Sequence, residues 1–307
     1  MNTESNRTLL IALGANLGIA VSKFGAAAVT GSSAMLTEGI HSVVDSLNQL
    51  LLIWGRRQAR KPADLIHPFG YGRELYFWSF VVAVLVFALG AGVSVYEGVM
   101  HILHPEPAVS PFIAYGVLLV AFLLEGWSTL AAFRDFKAAK GSLGWFEAVR
   151  RSKDPPGFIV LLENGAAMAG LATAAAGLFL AQVTGDPWFD GAASIVIGII
   201  LGLTAWLLAV ESKALLIGES AEPELVDGLR AIAIRPGIVG IGEILTVHSA
   251  PDQITALMSV DFDDGITARD VERIVCSIEE QVAWLWPQVK RLYIRPLQGA
   301  ADEGRLE

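Results

Sequence analysis

The chain has 307 residues and a formal net charge of −9, yet only 17% of its residues are charged and 53% are hydrophobic; an ordinary soluble domain is roughly 25% charged. That balance, with a mean hydropathy of +0.53, excludes a soluble globule and predicts a membrane protein. The negative charge gathers in the last third, at Glu219, Glu222, Glu224, Asp227, Asp261, Asp263, Asp264, Glu279 and Glu280, which reads as an acidic solvated surface and excludes nucleic acid as a partner.

In chain order, Met1–Thr8 is polar and lacks the cationic-then-apolar pattern of a cleaved signal, so the first apolar run reads as a retained span. Runs of about 20 apolar residues, the length that crosses the hydrocarbon core, begin near Leu9, Ala34, Tyr76, Pro111, Gly157 and Trp188. They predict six transmembrane helices. Beyond about Gly218 charges become frequent, and the pattern reads as helix Pro223–Ala233, strands near Ile238–His248 and Ile254–Phe262, helix Ala268–Trp284 and strand Val289–Ile294. That αββαβ order predicts a small two-layer α/β domain. The expected organisation is a six-helix transmembrane domain over 1–218, a cytosolic domain over 219–298 and a disordered tail over 299–307. The single cysteine, Cys276, excludes a disulfide framework or thiolate cluster and reads as a small core residue.

Loop charge sets the expected orientation. The connections at 30–33, 101–110 and 182–187 contain no Lys or Arg, whereas Arg56, Arg57, Arg60, Lys61 and Arg73 crowd one loop and Arg134, Lys137, Lys140, Arg150, Arg151 and Lys153 another. Positive charge stays on the cytosolic side, so both termini and the soluble domain are expected there.

Inside the second apolar run, His41 and Asp45 stand four residues apart and share a helix face. Ionisable groups at that depth cost several kcal/mol unless paired, hydrated or metal-bound. The pair therefore reads either as ion ligands or as an interhelical hydrogen-bond pair. Asn16, Asn48, Glu125 and Asp190 read as interhelical hydrogen-bonding groups. Lys23 is deep enough in the first span to need an acidic partner or a snorkelling route, and the sequence does not name that partner.

The stretch Gly31-Ser32-Ser33-Ala34-Met35-Leu36-Thr37-Glu38-Gly39-Ile40-His41-Ser42-Val43-Val44-Asp45-Ser46, followed by His67-Pro68-Phe69-Gly70-Tyr71-Gly72-Arg73, resembles the cation diffusion facilitator family, the zinc-transporter type of secondary carrier. Leu161-Leu162-Glu163-Asn164 and Leu103-His104-Pro105-Glu106-Pro107 resemble the sub-branch containing the mitochondrial zinc transporter of animals and its bacterial relatives. The resemblance implies a homodimer of six-helix protomers, dimerised through the cytosolic domain. It also implies a tetrahedral metal site between helices two and five, to which His41 and Asp45 map. Zn²⁺ favours imidazole nitrogen and carboxylate oxygen at about 2.0–2.2 Å.

Helix five departs from the family pattern. Where many members have His and Asp, this chain has Val160 and Asn164. Asn164 offers a carbonyl oxygen, a weaker zinc ligand than a carboxylate and one that exchanges no proton. Glu163 lies about 100° around the helix from Asn164, and reads as either a ligand or a hydrogen-bonded interhelical carboxylate. Glu38, three residues before His41, reads as a missing ligand or proton carrier, or as a gate or capping residue at the far helix end.

Asp64 and His67 fall where some relatives hold a second metal, but Tyr71 stands at a further histidine position, favouring a structural loop. His248 is the soluble domain's only histidine, leaving Asp252 and Asp261–Asp264 as weak oxygen donors. His101 and His104 near the far mouth read as structural, with metal gathering as the alternative. The expected activity is export of Zn²⁺ from the cytosol by proton antiport and alternating access, across a bacterial inner membrane. The partners are a divalent metal ion, protons and the lipid bilayer, and there is no organic cofactor. The alternatives are a carrier of Mn²⁺, Fe²⁺ or Co²⁺ and a non-transporting metal-sensing partner. No nucleophile–base pair or nucleotide loop suggests an enzyme.

Overall fold

A computed structural model describes residues 3–105, 111–141, 144, 145, 148, 152 and 155–297. The residues Glu106 and Pro107 of the Leu103–Pro107 motif, the cations Arg150, Arg151 and Lys153, and the expected tail 299–307 lie outside the described residues. Six helices of 27–30 residues run through the first 217 residues: α1 (Thr3–Thr30), α2 (Ser33–Ala59), α3 (Glu74–Leu103), α4 (Pro111–Lys140), α5 (Pro155–Thr184) and α6 (Trp188–Ile217). Four of them, α3 to α6, contain stretches long and apolar enough to cross a membrane. The α2 helix has the length but interrupts its apolar run with Glu38, His41 and Asp45, buried or half-buried.

The chain divides into two compact units. The first comprises residues 1–58 and 74–213, and the second residues 59–73 and 214–307. The loop between α2 and α3 thus groups with the C-terminal region, whereas the sequence boundary at 218 left it with the helices.

In the helical unit, apolar packing is tightened by small residues where helices cross. A Cβ on Gly191 of α6 would stand 2.8 Å from Ile102 Cγ1 and 2.9 Å from the Gly98 carbonyl oxygen of α3; one on Gly198 would stand 2.7 Å from Val95 Cγ2. Helices in lipid associate by close packing rather than by escape from water, so such small-residue seams are the means of adhesion. Midway along α3, Val86–Ala91 is wound as a π-helix. The end of that segment, Ala91, packs into the same seam against Gly198 and Gly202.

The second unit contains α7 (Pro223–Ala233), β1 (Ile238–Ala250), β2 (Gln253–Phe262), α8 (Ala268–Leu285) and β3 (Val289–Leu297). β1 and β2 form an antiparallel hairpin, and β3 returns through α8 to pair parallel with β2, giving the order β1-β2-β3. Leu225, Leu229 and Ala233 of α7 and Ile278 and Val282 of α8 close a core over Ala256, Met258 and Val260 of the central strand. Cys276 is exposed, not a core residue. Ile274 and Ile278 lie one turn apart on the buried face, and Cys276, two positions from each, falls on the opposite side of α8.

The loop 59–73 is ordered by its own acid. Asp64 Oδ1 accepts from the amides of Ile66 (2.9 Å) and His67 (2.6 Å), and Oδ2 accepts from the Tyr71 hydroxyl (2.7 Å). The Tyr71 hydrogen bond, then the His67 amide, hold the Asp64 carboxyl below its ordinary value. Asp64 and Tyr71 thus spend their polar atoms on loop structure, as a structural loop requires. Arg291 of β3 donates to the Pro68 carbonyl at 2.6 Å and stacks its guanidinium 4.7 Å from the Phe69 ring centre, tying the loop to the sheet. A Cβ on Gly72 would overlap the Ser249 carbonyl oxygen, so only glycine permits this approach.

Two outcomes follow from these contacts. Gly191→Ala should push α3 and α6 apart and destabilise the helical unit by about 1–3 kcal/mol, read as a lowered thermal midpoint in detergent. In α8, the Thr267 hydroxyl accepts from the Asp270 amide and the Asp270 carboxylate accepts from the Thr267 amide, a reciprocal cap. Thr267→Ala should cost about 1 kcal/mol. The Thr267 side chain and amide hold the Asp270 carboxyl below its ordinary value. The carboxylate's share of the cap is therefore present above the unfolded-state value and lost as pH falls through the lowered folded-state one. Hydrogen-exchange protection of the first turn of α8 should drop between about pH 5 and pH 2.

Candidate metal centre

The helical unit gathers its polar groups along one face of α2. Glu38, His41, Ser42, Asp45 and Asn48 succeed one another at intervals of one or three residues, and that stripe faces neighbouring helices. Glu38 and Asn48 are fully buried and His41 nearly so. His41 Nε2 lies 3.5 Å from Asp45 Oδ2. Neither imidazole nitrogen has a hydrogen-bond partner among the described residues, and Asp45 Oδ1 is likewise unpartnered. Buried polar atoms left open in this way are rare in folded proteins.

Asp45 lines a cavity of about 460 Å³ together with Ser42, Glu125 and Ser128 of α4, and Glu163 and Asn164 of α5. Glu163 Oε1 accepts from Asn48 Nδ2 at 2.8 Å, crossing from α5 to α2. Asn164 Nδ2 donates to Ser128 Oγ at 3.1 Å. With its nitrogen occupied by α4, the Asn164 amide keeps its carbonyl oxygen as the end free to meet a cation. Val160, standing where many relatives have histidine, lines the same cavity without a donor. Asn16 of α1 lines it as well.

Of the residues singled out from sequence, Asp45, Glu163 and Asn164 thus meet at one cavity, and His41 joins them through Asp45. Among the described residues, no three His, Cys, Asp or Glu side chains converge closely enough to hold a metal ion as they stand. The donors surround a space rather than a point.

Glu38 is engaged elsewhere. Lys23 of α1, wholly buried, donates to Glu38 Oε2 at 3.0 Å, Ser42 Oγ at 2.9 Å and Glu125 Oε1 at 2.8 Å. An ammonium has three N–H donors, and all three are used. The groove for Glu38 is opened by Gly170 of α5, where a Cβ would collide with Glu38 Oε1. The acidic partner that the sequence required for Lys23 and the interhelical hydrogen bond expected of Glu125 are both present; what the sequence did not name is that the two meet. The available signal was charge matching: one buried cation amid apolar helices calls for buried anions, and Glu38 and Glu125 are acids within apolar stretches of the neighbouring helices.

At the start of α2, Asp190 of α6 accepts from Ser32 Oγ (2.7 Å) and from the backbone amides of Ser33 (2.6 Å) and Ala34 (3.4 Å), so an acid from another helix caps the helix that bears His41 and Asp45. His101 Nε2 lies 3.8 Å from the same carboxylate. His101 and His104 line a separate cavity of about 600 Å³ with Glu97 and Met100.

The sequence signature of the cation efflux transmembrane domain matches residues 9–217. The chain is 34% identical over 244 residues to the mitochondrial proton-coupled zinc antiporter SLC30A9 of Xenopus laevis, covering 78% of this chain and 44% of that protein. It is 36% identical over 223 residues to metal tolerance protein C4 of Arabidopsis thaliana, covering 72% and 49% respectively. An uncharacterised transporter of Synechocystis is 26% identical over 299 residues, covering 91% of this chain and 92% of that one. The chain spans less than half the length of the first two relatives. The match over most of the helical region, with these relatives on both sides of the animal–bacterial divide, shows that the chain belongs to the cation efflux (cation diffusion facilitator) family, whose members are transporters and not enzymes.

Proposed function

We propose that the chain exports divalent metal, Zn²⁺ in the first place, from the cytosol by proton antiport and alternating access. The observation that carries this reading is the cavity: Asp45, Glu163 and Asn164 line it, and His41, buried with both nitrogens unpartnered, stands beside Asp45. His41 and Asp45 are the cargo ligands from α2, with the Asn164 carbonyl and Glu163 from α5. The animal relative is a proton-coupled zinc antiporter, which supports the same cargo and coupling.

Six spans, both termini in the cytosol and a homodimer held through the C-terminal domain complete the proposal, in a bacterial inner membrane. The four apolar helices and the cation-rich loop 56–73 support it. Binding of Zn²⁺ requires neutral imidazole and ionised carboxylate, so metal and protons compete for the same groups. His41 is the group we assign to proton exchange, since its imidazole must be neutral to bind the metal. A carboxylate- and amide-rich cavity also suits Mn²⁺, Fe²⁺ or Co²⁺, and the same assay with those ions ranks them.

Zinc-dependent flux should be measured in proteoliposomes under a pH gradient. His41→Ala should reduce flux by at least about tenfold, the scale on which metal sites respond to altered ligation, and Asn164→Asp should raise it. Zinc entry should move protons in the opposite direction and should accelerate when the gradient opposes proton accumulation at the site. Flux indifferent to pH would remove the coupling; folded protein with no flux in any variant would favour a metal-sensing partner.

A further inference from the structure

We propose that Glu125 of α4 is a further cargo-coordinating carboxylate, held by Lys23 and released to a divalent cation entering the cavity. This rests on the reading of that cavity as the transport site, and it adds a ligand from a third helix to those of α2 and α5.

The argument begins with charge. Lys23 supplies one positive charge and contacts two carboxylates, Glu38 and Glu125. One negative charge is therefore in surplus within the low-dielectric interior, where an unbalanced charge is costly. The surroundings decide which acid bears the surplus. Glu38 has no side-chain exposure and abuts Gly170, away from the cavity lining, whereas Glu125 keeps 15% exposure and lines the cavity with Asp45, Glu163 and Asn164. Each acid gives one oxygen to Lys23 and leaves the other without a hydrogen-bond partner among the described residues, but Glu38 Oε1 abuts Gly170 whereas Glu125 belongs to the cavity lining. When Glu125 turns to a cation, Glu38 and Ser42 continue to accept two of the three Lys23 N–H groups.

A second observation points to a bound cation at the same place. The nearly fully buried His41 keeps both ring nitrogens unpartnered beside Asp45, which itself has an open oxygen in the cavity wall. Glutamate has three rotatable side-chain bonds, so the carboxylate can exchange the ammonium for a cation in the space it already lines. The acid absent from helix five, where Asn164 and Val160 stand, is thereby replaced from α4. Lys23 is a positioning residue in this scheme: it holds the carboxylate in place, and it competes with the cargo for it.

The test uses the full chain in detergent with Co²⁺ as the probe, following affinity together with the visible absorption band, whose position and intensity report the ligand set. Glu125→Gln should weaken Co²⁺ binding by at least about tenfold and change the band, with Glu125→Asp recovering part of both. The double variant Lys23→Met/Glu125→Gln removes one charge of each sign but leaves Glu38 without its cation, so its fold is checked by thermal midpoint; folded, it should remain weak and keep the altered band. A double variant that binds Co²⁺ with native affinity and a native band would overturn the proposal, making Glu125 only the counter-ion of Lys23. Asp45→Asn separates the two levels: if it abolishes binding while Glu125→Gln has no effect, the transport site stands and the role of Glu125 falls, whereas native binding in Asp45→Asn overturns both.

Discussion

The helical unit is organised around a charge that has no route to water. Lys23 has no exposed surface, and its ammonium is satisfied only because α2 presents Glu38 and Ser42 and α4 presents Glu125 within 3.0 Å. Removing one partner of such a buried pair typically costs about 3–5 kcal/mol, because the other charge is stranded. Three helices are thereby held in one register, and that register carries Asp45 to the cavity wall with His41 beside it. The staple and the site share a helix face, so neither can shift without the other.

The cavity joins fixed and adjustable parts. Asp190 caps α2 from α6, and the Gly98–Gly191 and Ala91–Gly198 contacts lock α3 to α6. Against that frame the donors are spread: Asp45 from α2, Glu125 from α4, Glu163 and Asn164 from α5. A carrier that must release its cargo gains from donors that close on an ion by side-chain rotation, since a rigid preformed cage would bind tightly and let go slowly. With Val160 and Asn164 at the positions where many members have His and Asp, the cavity wall offers one nitrogen donor and one charge fewer from α5.

The second unit uses the same economy of polar groups for a different end. Asp64 spends both carboxylate oxygens on its own loop, and Arg291 grips Pro68 and Phe69, so the family's His67–Arg73 motif serves here to fasten a loop to a sheet. The αββαβ order was readable because alternating apolar residues mark the strands and amphipathic spacing the helices. Cys276 was misread because a small apolar residue in an amphipathic helix says nothing of its face until the phase of Ile274 and Ile278 is applied.

What the sequence by itself determined is what local physics decides. Apolar runs of spanning length set the helices, spacing of three and four put His41 beside Asp45, and the switch of pattern after Gly218 marked the second region. What only the tertiary structure decided is which distant groups meet. The partners of Lys23 lie 15 and 102 positions along the chain, Asn48 meets Glu163 across 115 positions, and Asp190 caps α2 across 157. No periodicity records such pairings, because they follow from how helices with similar apolar surfaces choose their neighbours, and in lipid that choice rests on close packing and buried polar contacts rather than on the pattern of any one segment.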